Sequence, residues 1–572
     1  MKVDLVIKNA WVYNSYFKRF MEEDVAILEG TIIYVGKEDI DEFSGETIID
    51  ARGKYLIPGL IDIHMHIESS MATPQAFSHE LIRNGVTTIV SEPHEIANVF
   101  GVKGILEMIR NGEECVADIF YGVPSSVPST SLEFETTGFE INIDEIKELM
   151  KNDKIICLGE VMNYYDVIHH PRSKTNKIIE YMKKNYPDIP IEGHCPKIMG
   201  KDLASFIYRG IDSDHTQQKV SSMEERIKRG MFIEIQEKSM TSEVIDYLIE
   251  NRPFEHFCFV TDDVMADSFY NNGHLNRLVK RAIKMGMKPE DAIYASTFTP
   301  ARRMRLKNRG AIAPGKLGDF VLLKELKNFE IDQVYKEGKL VYDKEDEYKY
   351  ACKYDSFPRE FYTSIKRKPI DEDDLVIKAP FEKGEVNCRI IKVSDGTTFT
   401  EEQIGSVAVK QGKLMWEETS LCMIAVFERY GRNGNIGLGL ITGDTIKRGA
   451  IATSYAHDHH NILAVGKTVR DIVKAVNNVI QKQGGIYVVC DGDIKGGIDL
   501  PVGGILSEKS IEVIGRDIAK VRSSMEELGY KHYNPIMSLC TNGLPVSQLL
   551  KITDKGLVKL SENRLVDLIV EG

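Results

Sequence analysis

Between residues 58 and 305 short apolar runs alternate with amphipathic stretches, and this alternation constrains the fold more than any other feature. The runs TTIVSEP, KIICLGEVM, IPIEGHC, MFIEIQ and FCFVTDD read as strands, while TSEVIDYLIEN and NGHLNRLVKRAIKMG read as helices. Strands and helices at this spacing predict parallel βαβ units, and about 250 residues of them fit one (β/α)8 barrel better than two small domains. The flanks have another texture. In residues 1–57, DLVIKNAWVY, DVAILEGTIIYVG and ETIIDARGKYLIP are short strands broken by EG, GK and RG turns. Residues 306–345 return to that pattern with GAIAPGKLGDFVLLKE and QVYKEGKLVYD, so one small β-domain built from both flanks is expected.

Residues 346–375 are polar and without periodicity, which predicts a linker. From 376 to 572 strand-like runs (IAVFERYG, GIYVVCDGDI, RLVDLIVEG) mix with amphipathic helices (VRDIVKAVNNVIQKQG, GRDIAKVRSSMEELG), an α+β domain. The chain carries 73 Lys and Arg against 86 Asp and Glu, a net charge of −13, which disfavours a binder of phosphate backbones. No apolar run approaches the ~20 residues of a membrane-spanning helix. MKVDLVIKNA lacks the pattern of a signal peptide, and nine cysteines without close pairing make no disulfide framework. A cytoplasmic, water-soluble protein is expected.

The strongest chemical signal is His64-Met65-His66, directly after the apolar strand Leu60-Ile61-Asp62-Ile63. Imidazoles two apart on a strand share a face and can grip one ion. Glu160 after KIICLG, His194 after IPIEG, His215 in IDSDHTQ and Asp262 after FCFVT also fall at strand ends, where the side chains of a barrel converge. Four histidines and two carboxylates exceed the needs of one structural zinc and suit two ions. A nitrogen and oxygen set without thiolate favours manganese, iron(II) or zinc. Two such ions acidify a shared water, and a carboxylate such as Asp262 can move its proton, which describes hydrolysis at an sp² carbon.

This arrangement resembles the amidohydrolase superfamily. The finer text is similar to its adenine-deaminating members in PGLIDIHMHIESSMATP (58–74), TTIVSEPHEIANVFG (87–101), LGEVMNY (158–164), EGHCP (192–196), SDHTQ (213–217) and FVTDDVMADSFYNNGHLN (259–276). ATSYAHDHHNILAVG (452–466), LPVGGILS (500–507) and LPVSQLLKITDKGLV (544–558) extend the similarity through a C-terminal domain that most amidohydrolases lack. The resemblance implies His64, His66, His194, His215 and Asp262 as metal ligands, with Glu160 where relatives place a bridging carboxylated lysine or a glutamate. It implies two divalent ions per chain, manganese first, with iron or zinc as alternatives, and a homodimer. The implied reaction is attack of hydroxide on C6 of adenine, with release of ammonia and hypoxanthine, in purine salvage. Glu160 and Asp262 are the candidates for proton transfer. Asp263 and Glu92 are the acidic neighbours of the ring or exocyclic amine, and His94 and Glu95 stand beside them as candidate substrate contacts. Where many relatives have Asp before Pro-His-Glu, this chain has Glu92. The alternatives are a sibling hydrolase of another aminopurine or cyclic amide, and a barrel that has lost its chemistry. His457-Asp458-His459-His460 reads as a polar turn over the barrel mouth or at a subunit interface rather than a third metal site. Cys195 reads as a neighbour of His194 rather than a nucleophile, and His169-His170 as a surface loop.

Overall fold

The computed structural model of the chain describes residues 1–348, 356–547 and 549–570. It divides into two compact units, one comprising Met1–Pro93, Met108–Ser125 and Asn142–Asp355, the other His94–Glu107, Ser126–Ile141 and Ser356–Gly572. Residues 94–107 and 126–141, expected to belong wholly to the strand–helix repeat, thus cluster with the C-terminal region. Their polar contacts are the reason: Tyr430 Oη lies 3.1 Å from Asn98 Oδ1, and Thr136 N donates to Asp554 Oδ1 at 2.8 Å.

In the first unit the two flanks form one nine-stranded sheet. Tyr55–Pro58 lies between Lys2–Asn14, with which it runs parallel, and Phe320–Glu325, with which it runs antiparallel. Its apolar face gathers Leu5, Val25, Ile27, Leu56, Phe320 and Leu322. Eight parallel strands then follow in chain order. Leu60–Met65, Val86–Ser91, Asp118–Val123, Ile155–Val161 and Ile191–Gly193 make a sheet of five, and Ser213–Asp214, Phe232–Ile235 and Phe257–Phe259 a sheet of three. Asp212 N donates to Ile191 O at 3.2 Å between the sheets on one side, and Asp262 N donates to His64 O at 3.1 Å on the other. Strands covered on both faces need continuous apolar runs, and Val86–Ser91 is buried at every position.

The helices between these strands form for local reasons. Leu275–Lys284 buries Leu275, Leu278, Val279 and Ala282, an i, i+3, i+4, i+7 stripe, and leaves its Arg and Lys residues on the other face. Thr241 caps Ser242–Asn251 by accepting from Val244 N. Ile61, Ile63, Val90, Cys157, Cys258 and Val260 pack together beneath the strand ends, which holds those ends in register.

The second unit is built on a nine-stranded sheet whose centre is Ile436–Gly443, Cys422–Phe427, Ile462–Gly466 and Ala450–Thr453. Val469–Gln481 lays Ile472, Ala475, Val476 and Val479 into its core, capped by the Thr468 side chain on Asp471 N. The segment 346–375, expected to be a linker, is partly outside the described residues at 349–355. Beyond that gap it buries Phe357, Phe361, Ile365, Ile370 and Leu375. Apolar residues spaced four or five apart inside a charged run disguise a packed strap as a linker. Among the described residues no helix is long and apolar enough to cross a membrane. The eight described cysteines are free.

Candidate metal centre

The parallel strands of the first unit bring six side chains to one place. His64 ends Leu60–Met65 with His66 just beyond it, Glu160 lies near the end of Ile155–Val161, and His194 follows Ile191–Gly193. His215 follows Ser213–Asp214, and Asp262 lies three residues past Phe257–Phe259. His66 Nε2 stands 3.6 Å from Glu160 Oε1 and 3.7 Å from Asp262 Oδ1, and His64 Nε2 stands 3.9 Å from Asp262 Oδ1. On the other side of Glu160, Oε2 lies 2.9 Å from His194 Nδ1 and 3.3 Å from His215 Nε2. Glu160 therefore faces His66 with one oxygen and the His194–His215 pair with the other, the geometry of a carboxylate shared by two cations. The groups His64–His66–Glu160, Glu160–His194–His215 and His64–His215–Asp262 each place three ligand atoms within 4.8 Å of one another.

The protonation of Glu160 and His64 favours the same use. Burial raises the cost of charge on Glu160, but hydrogen bonds from His194 and His215 overcome it and hold the carboxyl well below its ordinary range. Burial, with the nearby His215, keeps His64 neutral. His64 Nε2 is buried without a hydrogen-bond partner, a cost that a bound cation would remove. All but His194 are nearly inaccessible to solvent. The residues thus fit a pair of divalent ions.

Side chains around this set orient it. His66 Nδ1 donates to Glu92 O at 3.1 Å, which turns Nε2 toward the other ligands. Gln236 Nε2 donates to His215 O at 2.9 Å. Arg226 is fully buried; its Nε donates to Asp214 Oδ2 at 2.6 Å and its Nη2 to Cys195 O at 2.8 Å, so one guanidinium holds the neighbours of both His215 and His194. Asp62, pushed up to about 7 by burial, accepts from Thr261 Oγ1 at 2.6 Å and ties the strand of His64 to the segment of Asp262. Asp262 adopts φ 59°, a left-handed conformation uncommon for a non-glycine residue. Sequence reading passed over Arg226, Asp62 and Thr261; their adjacency to ligand positions (Asp62 two before His64, Thr261 one before Asp262) was the available signal.

Of the acidic neighbours, Asp263 accepts from Ser69 Oγ and groups with His66 and Asp262. Glu92 turns its carboxylate to the backbone of Glu160, whose N–H donates to Oε2 at 3.1 Å. His94 and Glu95 belong to the second unit, where their side chains meet Asp458, His457 and His460. Cys195 is buried and its thiol is pushed well above the ordinary range by that burial, so it is no nucleophile. His169 and His170 are exposed.

The chain matches known proteins over its whole length. The model of the Amidohydrolase family matches residues 55–341, and that of the Adenine deaminase C-terminal domain matches residues 397–564. Adenine deaminase 2 of Shouchella clausii is 52% identical over 571 residues, covering 100% of this chain and 99% of its own. Adenine deaminase of Clostridium perfringens strain 13 is 52% identical over 578 residues, covering 100% of both. Among solved structures, an adenine deaminase superposes with a TM-score of 0.44 at 17% identity, covering 60% of this chain and 100% of that one.

Proposed function

The chain belongs to the adenine deaminases of the amidohydrolase family, and from that premise we propose that it hydrolyses adenine to hypoxanthine and ammonia in purine salvage. One observation carries the reading: six metal-competent side chains from five strand ends converge, with Glu160 facing both halves of the set. We read the eight parallel strands as a closed (β/α)8 barrel whose carboxyl-end face holds the chemistry.

His64, His66 and Asp262 on one side and His194 and His215 on the other would hold two divalent ions, manganese first, with Glu160 between them. Bound there, such ions supply a water acidified to near neutral pH. Glu160 and Asp262 would carry the two protons of this water in turn, the first to a ring nitrogen as the C6–O bond forms and the second to the leaving amine as that oxygen becomes a carbonyl. Water oxygen bonds to C6, the C6–N bond breaks, and ammonia leaves. Asp263, held by Ser69, orients the ring or its amine. Glu92 acts through Glu160, because its carboxylate is engaged with the Glu160 amide.

Ammonia release from adenine tests the reading, with metal-stripped chain refilled with Mn²⁺ and an Asp262→Asn chain beside it. The refilled chain is expected to recover activity and the variant to lose at least about three orders of magnitude, the scale of removing a group that moves a proton and holds an ion. Ions bound at these six residues with adenine untouched would place the substrate elsewhere among purines and cyclic amides. Absence of metal uptake would refute the centre itself.

A further inference from the structure

In the run His457-Asp458-His459-His460, which reads in sequence as a polar turn, His457 is half-buried and the other three are buried within the second unit: Asp458 is 4%, His459 1% and His460 0% exposed. Two residues from the start of the helix His94–Gly112 complete the cluster. His94 Nε2 lies 2.6 Å from Asp458 Oδ1, and His457 Nε2 lies 3.6 Å from the same oxygen. His457 Nδ1 lies 2.6 Å from Glu95 Oε1. The other oxygen of Glu95 accepts from Asp458 N at 2.8 Å and from His460 Nε2. Asn98 Nδ2 holds Asp458 O at 2.9 Å. Asp458 and His460 both take left-handed backbone, φ 66° and 49°, a conformation that persists in non-glycine residues where surrounding contacts over-determine it.

Two carboxylates removed from water need compensating charge. Every ion pair of Glu95 and Asp458 is with a histidine, and among the described residues neither meets a lysine or arginine. Histidines compensate only if protonated, whereas one divalent cation balances both carboxylates at any pH where the imidazoles are neutral. His94, Glu95 and Asp458 already place three ligand atoms within 4.8 Å of one another. The nearby thiol of Cys540 is no competitor: it donates to Tyr455 O at 2.9 Å, and burial pushes it up to about 12.

We infer that the second unit carries its own divalent-cation site, with His94, Glu95 and Asp458 as ligands, His457 completing the set, His460 orienting the Glu95 carboxylate and Asn98 holding the Asp458 backbone carbonyl. An imidazole and carboxylate set of this kind takes a first-row ion such as manganese, iron(II) or zinc. The site is distinct from the six residues of the first unit and does not depend on what reaction they perform. His460 donates to the Glu95 oxygen that also receives the Asp458 amide, so the ion would share the other oxygen, Oε1, with His457 Nδ1.

Metal content of the full chain decides the matter. Chain produced with manganese and freed of loose metal by desalting is expected to hold three ions. Glu95→Gln and Asp458→Asn, near-isosteric changes that preserve volume, are each expected to hold two. A chain with both His64→Ala and His66→Ala reads the first unit separately and is expected to keep the ion of the second. A wild-type count of two overturns the inference whether or not the variants fold. So does a count of three that persists in both Glu95→Gln and Asp458→Asn, since the third ion then lies elsewhere.

Discussion

Replacing Gly159 by alanine should disable the centre without touching a ligand. An alanine Cβ at this position would lie 1.7 Å from Glu92 Oε2 and 2.3 Å from Glu92 Cδ, far inside contact distance. Glu92 is 4% exposed, and a Cβ added at Gly122 would also lie only 2.9 Å from the same Oε2, so the carboxylate is packed between two glycines and must swing away to admit the methyl. Moving it breaks the 3.1 Å bond from Glu160 N and leaves a buried N–H without its acceptor. Overpacking of this kind costs about 1–3 kcal/mol. The orphaned amide adds about 1–3 kcal/mol. The sum is about 2–6 kcal/mol, enough to shift Glu160 and loosen both halves of the ligand set. The discriminating experiment is a double-mutant cycle with Glu92→Ala, read by urea midpoint and by bound metal per chain. In the Glu92→Ala background the added methyl occupies vacated space, and Gly159→Ala should cost less than about 0.5 kcal/mol, leaving a coupling of at least about 1.5 kcal/mol. Equal costs in the two backgrounds would show that Glu92 and Gly159 do not act as a pair, and the account of Glu92 as the anchor of Glu160 would fall.

Arg226→Met should cost about 3–5 kcal/mol, because it strips a fully buried guanidinium from Asp214 and leaves that carboxylate unpaired; thermal unfolding checks this, and metal loss should accompany it since Cys195 and Asp214 flank two ligands. Glu135, in the second unit, is pushed up to about 8 from an unfolded value of 4.5 by burial and, second, by the charge of Asp554. Between those values the folded chain keeps a proton that the unfolded chain has lost, so wild-type stability falls as pH rises through that window. Glu135→Gln has no such titration and should gain on wild type by about 1.4 kcal/mol per pH unit, reaching about 4 kcal/mol near pH 8; a stability difference that stays flat from pH 5 to 8 in urea titrations would contradict it.

What could be read from the sequence was whatever local pattern encodes. The helix Leu275–Lys284 announced itself by its apolar stripe, and Glu160, His194, His215 and Asp262 by standing just where apolar runs give out. Periodicity is silent on which buried polar groups meet. Glu92 lies beside Pro93-His94-Glu95 in sequence and invited a role at the substrate. Its carboxylate instead lies over Gly159, and only the folded chain shows that this glycine exists to leave room for it. The division of the units was equally hidden, since residues 94–107 take their place from Tyr430 and Asp458, far along the chain. The sharpest case is Asp458. A run of His-Asp-His-His is polar by composition and therefore looks solvated, yet burial depends on partners, and its partner Glu95 lies 363 residues earlier. A buried carboxylate must be answered by charge, so once Glu95 and Asp458 are found together the question becomes what answers them. Imidazoles alone can do so only by holding protons near neutral pH, whereas a divalent cation needs none, which is why counting metal ions is the experiment that separates a structural hydrogen-bond network from a second metal centre.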